Sequence, residues 1–153
     1  MFPQLKGAVA VNATSATAAG TVTTSVIDTL GYDWATIDIW ATTQVGTSQT
    51  HSPSVLKLQE ADNTSATSFV DVVGFRGGSA TATNIDFLVG SVAAATNVPA
   101  YKFNVDCRNR KRYLSVAITP ATSQTFYGYV NLGRGEQSPS TASKAGVLSL
   151  IEG

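Results

Sequence analysis

The chain has 153 residues, a length that fits a single domain with its own apolar core. Ten basic and ten acidic residues cancel, and only 13% of the residues are charged, against about a quarter in a typical domain. This balance gives no basis for a general attraction to nucleic acid or to an acidic membrane. No apolar run predicts a transmembrane helix, and residues 1–6 lack the pattern of a signal peptide. We therefore expect no membrane partner and no specific nucleic-acid partner.

The two ends of the chain differ in pattern from its middle. Residues 1–20 are mostly Ala, Thr, Ser and Gly, with few large side chains to fill a core, which predicts an extended N-terminal arm. Residues 134–153 follow the last strand pattern and predict a C-terminal tail. The folded domain is then expected to span residues 21–133. This division predicts that a chain lacking residues 1–20 still folds but attaches less well to its partner.

Short strand-like runs follow one another through the middle of the chain. The first four are residues 21–28, 35–40, 54–60 and 69–73. In the second of them Ile37 and Ile39 share one face, while Thr36 and Asp38 share the other. Turn-forming residues separate the runs. The alternation is typical of a strand with one buried face and one wet face.

The alternation is cleaner in the second half of the chain. The later runs are residues 85–92, 101–107, 114–119 and 126–132. Helix signals are nearly absent, because no long stripe of apolar residues recurs at helical spacing. About eight short strands with apolar-in, polar-out alternation predict an all-β fold with antiparallel sheets. We therefore expect one antiparallel β-sandwich, and eight strands in two sheets describe a jelly roll.

Residues capable of catalysis or metal binding do not form a recognisable motif. The single cysteine, Cys107, is interpreted as a small buried side chain rather than a reactive thiol, because the sequence supplies no nearby base. The single histidine, His51, is interpreted as a solvated loop residue, since no serine lies in a nucleophile motif. Glu60 and Asp62 leave a carboxylate metal site as an alternative. We expect a protein that is not an enzyme and needs no cofactor.

Two loop-like segments allow alternatives. Residues 75–78 predict a tight turn rather than a phosphate-binding loop, because no helix follows them. Residues 108–112 carry four of the ten basic residues between two clear strands. They either contact an anionic surface, with a protein favoured over nucleic acid, or form a solvated turn paired with local acids such as Asp106. The four basic residues are Arg108, Arg110, Lys111 and Arg112.

Several segments in a fixed order resemble a known group of proteins. The segments are residues 25–32, 56–62, 69–72, 110–114 and 130–134. In this order they resemble head decoration (cement) proteins of tailed bacteriophages, which have a β-sandwich or jelly-roll fold. The likeness covers roughly residues 20–140. It does not extend to the N-terminal arm or to the tail after Pro139.

The resemblance implies a structural role without catalysis. Such proteins coat the outside of an icosahedral head, commonly as trimers where major capsid subunits meet, and resist the pressure of packaged DNA. By this resemblance we expect a homotrimer made in the host cytoplasm, located on the capsid exterior and bound to the major capsid protein. Residues 110–113 would be a family-like element. The four basic residues of the 108–112 turn are then candidate capsid contacts.

Two other functions remain open on the sequence. The same fold could serve as a phage tail or receptor-binding component, which copy number per particle would distinguish. A carbohydrate-binding β-sandwich would need exposed aromatic rings, because planar rings stack on sugar faces. The candidate rings are Trp34, Trp40, Tyr127 and Tyr129. The alternative is that these rings fill the core or a subunit interface.

Overall fold

The structure, a computed structural model, describes residues 5–16, 20–41, 50–51, 53–89, 92–93 and 100–133. Over these residues the chain forms twelve strands and two single 3₁₀ turns, Ala66–Ser68 and Cys107–Asn109. The strands are β1 (Leu5–Ala16), β2 (Val22–Thr23), β3 (Ile27–Asp28), β4 (Trp34–Ala41), β5 (Thr50–His51), β6 (Val55–Ala61), β7 (Val70–Gly78), β8 (Phe87–Leu88), β9 (Val92–Ala93), β10 (Ala100–Asp106), β11 (Tyr113–Thr119) and β12 (Gln124–Gly133). Within this described part, no helix has the length and apolar character needed to cross a membrane.

Two sheets form the sandwich. The first sheet has the strand order β1-β12-β4-β10, and all its pairs are antiparallel. The second sheet has the order β2-β11-β6-β7-β8, and β3 also pairs with β11. Only β8 is parallel to its neighbour among the pairs described. Strands β5 and β9 form a separate two-stranded ribbon.

The pairing follows the nested pattern of a jelly roll. Strands β2 and β3 both pair with β11 and count as one interrupted strand. The principal strands then number eight in the described residues, and the first pairs with the last, as β1 with β12. The second pairs with the seventh (β11), the third (β4) with the sixth (β10), and the fourth (β6) with the fifth (β7). The predicted all-β sandwich of about eight strands is therefore confirmed, with jelly-roll order.

The core lies between the two sheets and is built from alternate residues of each strand. Ile37 and Ile39 are fully buried on β4, as the period of two predicts. Burial of each such side chain contributes about 1.5–3 kcal/mol. The largest fully buried side chains also include Phe126, Leu58, Leu114, Ile118, Val72, Val105, Val116 and Val130.

Strand β11 departs from simple alternation, because the face predicted to be wet is also buried. Ser115 and Thr119 are each less than a tenth exposed. Hydroxyl contacts satisfy their side-chain oxygens: Ser115 Oγ lies 3.3 Å from Thr24 Oγ1, and Thr119 Oγ1 lies 2.8 Å from Thr21 Oγ1. β11 has neighbours on both sides, β6 and β2/β3, so it is an interior strand of its sheet. Buried hydroxyls are tolerated where they are hydrogen-bonded in this way.

The prediction that residues 1–20 form an extended arm is wrong for residues 5–16. Residues 5–16 form β1, which pairs with β12 from Leu5 to Ala16 with two register irregularities, and Ala10 and Val11 are buried in the core. Val11 packs over Gly128, which has no side chain to displace it. The folded domain thus begins before residue 21, while residues 1–4 and 17–19 and the predicted tail, 134–153, lie outside the described residues.

The predicted turn at residues 75–78 is also wrong. These residues continue β7, where Arg76, Gly77 and Gly78 pair with Lys57, Leu56 and Val55 of β6. The glycines are required by close packing, because a side chain on Gly77 would collide with the ring of Phe87. A glycine pair inside a strand indicates close approach of a neighbour as readily as a turn.

The place of β1 in the core predicts different effects for two valines on that strand. Val11→Ala is expected to lower the free energy of unfolding by about 1–3 kcal/mol, because it leaves a cavity above Gly128. Val9→Ala is the matched control, with an expected loss within about 0.5 kcal/mol, because Val9 is 59% exposed. Urea denaturation of both variants measures the difference. Equally small effects would mean that residues 5–16 are an arm after all.

Candidate functional site

The basic turn, defined as residues 108–112, closes one end of the sandwich. It connects β10 of the first sheet to β11 of the second, and its first part is the 3₁₀ turn Cys107–Asn109. Asp106 caps this turn, because its side chain accepts a hydrogen bond from the backbone N–H of Arg108. An aspartate in this position satisfies a backbone donor that the short turn leaves unpaired. The turn is therefore held in one geometry by its own sequence.

Arg108 makes a double contact with the first sheet. Its Nε donates to Asp106 Oδ1 at 2.9 Å, and its Nη2 donates to Asp106 Oδ2 at 2.6 Å. The guanidinium carbon also lies 4.8 Å from the centroid of the Trp34 ring. Planar guanidinium groups favour both arrangements, the paired contact with a carboxylate and the stack on an aromatic face. Arg108 thus links the basic turn to the outer face of the first sheet.

Arg112 makes the equivalent contact with the second sheet. Its Nε and Nη2 donate to the two carboxylate oxygens of Asp28 at 2.9 and 2.7 Å. The Arg112 guanidinium carbon lies 4.9 Å from the Tyr113 ring centroid. Thr29 adds a hydrogen bond from its hydroxyl to the Arg112 carbonyl at 2.7 Å. These contacts attach β3 to the start of β11.

The two middle cations of the turn contact the end of β6 and the residues that follow it. Arg110 Nη1 lies 3.8 Å from Glu60 Oε2, and the backbone N–H of Lys111 donates to the same oxygen at 3.2 Å. Lys111 Nζ lies 2.8 Å from Asp62 Oδ2. The carboxylates considered as a metal site are therefore paired with cations of this turn. Across the described residues, no group of three potential ligands could hold a metal ion.

Every cation of the basic turn thus has an acidic partner within the chain. Four basic residues pair with four acidic ones, Asp28, Glu60, Asp62 and Asp106, so the charges of the cluster cancel. Such pairing is what we expect if residues 108–112 form a solvated turn whose cations pair with local acids. The side chains of Arg108 and Arg112 are still about half exposed, which leaves room for a further contact. Capsid contact by the four basic residues stays a prediction.

Pairing with arginine lowers the pKa of two carboxyl groups at the turn, those of Asp28 and Asp106. Hydrogen bonds from Arg108 lower the pKa of Asp106 to about 2. The hydrogen bond from Arg112 likewise lowers the pKa of Asp28. In both cases the cation stabilises the ionised carboxylate. Asp28 and Asp106 are therefore ionised and paired with their arginines at neutral pH.

The structure describes the side chain of Cys107 but only the backbone of His51. The Cys107 side chain is 6% exposed, and burial raises the pKa of its thiol to about 11. Its interpretation as a small buried side chain is confirmed, since a thiol held in its neutral form is a poor nucleophile. His51 belongs to β5, where its backbone pairs with Val92, rather than to a loop. Its side chain lies outside what the structure describes.

The outer surface of the first sheet carries a second, aromatic cluster. This aromatic face is formed by Trp34 and Trp40 of β4 and by Tyr127 and Tyr129 of β12. Tyr127 lies directly opposite Trp40, with ring centroids 6.4 Å apart and an interplanar angle of 12°. Trp34 is 48% exposed and Trp40 is 39% exposed. The interpretation of these rings as core residues is wrong for the tryptophans, and a subunit interface stays a prediction.

Polar residues, a glycine and an exposed valine surround the aromatic rings of this face. Asp38 lies between the two tryptophans on β4 and forms an ion pair with Lys102 of β10, with Nζ and Oδ1 3.2 Å apart. The phenol of Tyr129 lies over Gly7 of β1, where any side chain would collide with it. Val9 of β1 extends the surface as an exposed apolar residue. Sequence reasoning missed Val9 because β1 was assigned to an arm, although its alternation with Ala8 and Ala10 is visible in the sequence.

Comparison with known proteins gives a structural likeness that is weak. No protein-family model matches the chain, and no curated protein matches its sequence. A solved structure described as "Crystal structure of SPBc2 prophage-derived protein YomS" is similar at 12% identity and a TM-score of 0.43. The match covers 86% of this chain and 96% of that one. A likeness at this level carries no argument about function, and the fold is established by the strand order itself.

The lowered pKa of Asp106 predicts an acid-sensitive contribution to stability. The folded-state pKa lies below the unfolded value of about 3.9, so this contribution is present above about pH 4 and lost toward pH 2. Asp106→Asn is therefore expected to be less stable than the wild type at pH 7, with the difference closing as pH falls to 2. Urea denaturation at several pH values measures it. The control Asp62→Asn alters an ion pair whose carboxylate is 73% exposed and should differ little from wild type throughout. A constant difference for Asp106→Asn from pH 7 to 2 would contradict the assignment.

Proposed function

We propose that this chain is a virion structural protein that binds the outside of a bacteriophage head and stabilises it by non-covalent contacts. The observation that carries the proposal is the aromatic face, an outer sheet surface with two exposed tryptophans, one of them in contact with an arginine. The sequence resemblance to decoration proteins and the jelly-roll order of the strands are consistent with it. The proposed partner is the major capsid protein, and the proposed location is the capsid exterior.

The composition of the aromatic face suits a protein partner. Trp, Tyr and Arg are the residues most enriched at the centres of protein interfaces, where they contribute most of the binding energy. Two tryptophans of one strand remain about 40–50% exposed here, which leaves a large apolar area in contact with water. Covering that area with a partner surface returns the water to bulk solvent. Binding would then depend mainly on apolar contact and shape.

The charges near the face suit the same kind of partner. Asp38 is paired with Lys102, and Asp106 is paired with Arg108, so each of these two carboxylates is neutralised by a neighbouring cation. Long-range attraction to DNA phosphates is not favoured, because each cation of the basic turn has an acidic neighbour. In this proposal Arg108 is a contact residue through its stack on Trp34. Arg110, Lys111 and Arg112 lie farther along the same turn and would contact the rim of the interface.

On a symmetric head, several weak contacts made at the same time would give tight overall binding. Each copy would repeat the same contact on equivalent capsid positions, and a homotrimer would attach through three such contacts at once. Avidity of this kind needs no deep pocket. An exposed, shallow face is therefore sufficient for the proposed role.

One observation favours a second candidate function. The Trp40 and Tyr127 rings are nearly parallel and partly exposed, an arrangement on which planar sugar faces could also stack. A carbohydrate-binding module or a receptor-binding tail component would use the same face. Retardation of the chain on polysaccharide affinity gels, abolished by Trp40→Ala, would favour this alternative over capsid binding.

The proposal predicts that attachment depends on Trp40. Trp40→Ala is expected to reduce affinity for phage heads that lack the protein by at least tenfold, because it removes a central aromatic contact. The variant should stay folded, since the ring lies on the outer face. Bound copies are measured by co-sedimentation with heads followed by quantitative mass spectrometry.

The matched control for this experiment is Leu88→Ala. Leu88 is 65% exposed but belongs to β8 in the second sheet, so its loss removes apolar surface elsewhere. We expect this variant to attach like the wild type. Equal attachment of Trp40→Ala and wild type would exclude the aromatic face as the capsid contact.

A further inference from the structure

Strand β7 is paired with other strands mainly on one of its two sides. On that side its partner is β6, with paired residues from Val70 to Gly78 and one irregularity between them. On its other side, among the described residues, β8 pairs with Gly77 and Gly78 only. Within this part of the chain, the edge of β7 before Gly77 therefore has no strand next to it. Backbone groups on such an edge can pair with a strand of another molecule.

A single aspartate occupies this edge in place of a strand. Asp86 Oδ2 accepts hydrogen bonds from the backbone N–H groups of Gly74 and Arg76, at 2.7 and 3.1 Å. Because both groups donate to the same oxygen, both face this edge. The backbone N–H of Asp86 also donates to the Arg76 carbonyl at 2.6 Å. Asp86 thus makes three hydrogen bonds of the kind that a neighbouring strand would make.

The guanidinium group of Arg76 holds the carboxylate in this position. Arg76 Nε donates to Asp86 Oδ2 at 3.0 Å, and Nη2 donates to Oδ1 at 2.8 Å. These hydrogen bonds lower the pKa of Asp86, so its carboxylate is ionised at neutral pH. An ionised carboxylate accepts hydrogen bonds from backbone N–H groups more strongly than a neutral acceptor does. The contacts of Asp86 with Gly74 and Arg76 are named the edge cap.

The segment beside the edge cap has a composition typical of strands that pair with copies of themselves. Residues 69–75 contain three valines and two phenylalanines, residue types that favour strands. Their one charged residue is Asp71, which forms an ion pair with Lys57 at 2.9 Å. Val70 is 51% exposed and Val73 is 72% exposed. High strand propensity, low net charge and the absence of proline are the features of self-pairing segments.

We propose that Asp86 prevents two copies of this chain from pairing through their β7 edges. Without the edge cap, the N–H groups of Gly74 and Arg76 would be free to bond to carbonyl groups of a second β7. Two identical edges would meet antiparallel about a twofold axis, so that each copy presents the same residues to the other. Such pairing would also cover part of the exposed valine surface. The inference does not rest on the capsid function, because it concerns the isolated chain.

The substitution Asp86→Ala tests the proposal in the full chain. It removes the acceptor for Gly74 and Arg76 and should leave the core intact, because Asp86 is a surface residue. At low protein concentration we expect amide hydrogen exchange at Gly74 and Arg76 to be at least tenfold faster than in the wild type. At higher concentration, sedimentation velocity should show larger species than the wild type forms. Unchanged exchange or unchanged sedimentation of the folded variant would overturn the proposal.

Two further variants distinguish pairing of folded edges from association of unfolded chains. Adding Val73→Lys to Asp86→Ala should restore the sedimentation of the wild type, because a charged side chain on an edge strand opposes pairing. Val11→Ala controls for lost stability, since its cavity lies in the other sheet, and it should sediment like the wild type. Failure of Val73→Lys to restore the wild-type sedimentation would contradict edge pairing. Association of Val11→Ala to the same extent would do so too.

The milder substitution Asp86→Asn decides the question if circular dichroism shows that Asp86→Ala does not fold. It keeps an oxygen as acceptor but removes the charge that pairs with Arg76. We expect several-fold faster amide exchange at Gly74 and Arg76, and association stronger than that of the wild type, because the weaker acceptor opens the edge more often. Wild-type exchange and sedimentation in this variant would show that the carboxylate is not what keeps the edge closed.

Discussion

The period of two in β4 determines both the core and the proposed binding surface. When Ile37 and Ile39 point into the sandwich, Trp34 and Trp40 must lie on the outer face of the same strand. A shift of one residue in the pairing with β12 would bury the tryptophans and expose the isoleucines, which fixes the register strongly. The apolar layer between the sheets therefore holds the aromatic face in place. Stability and the proposed function depend on one constraint.

Charge pairing within the chain decides which surfaces remain free for a partner. The basic turn is the densest group of cations in the sequence, yet its four side chains pair with acids from both sheets. The basic turn contributes first to the structure, because these pairs connect it to the last residues of β3, β6 and β10 at one end of the sandwich. Individual ion pairs at partly exposed positions contribute little, and a network of them contributes more. The aromatic face, by contrast, has exposed apolar area that nothing in the described chain covers.

Local pattern predicts strands well where large side chains alternate. Alternation over residues 101–107 predicts β10 to within one residue, because each buried position carries a large apolar group or a thiol. It fails for β1, whose buried residues are small and whose place depends on pairing with β12, over a hundred residues away. The same limit applies to the site. The sequence identifies the four cations and the aromatic rings, but the partner of Arg112 is Asp28, 84 residues earlier, and only the fold brings the two together.

The proposed coat function is tested most directly by the number of copies per particle. Quantitative mass spectrometry of purified virus particles gives the ratio of this chain to the major capsid protein. A ratio near parity is expected, because a decoration protein covers the whole head with symmetric copies. A few copies per particle would assign the chain to the tail or portal. Its absence from the particle would contradict a virion role and leave sugar binding as the function of the aromatic face.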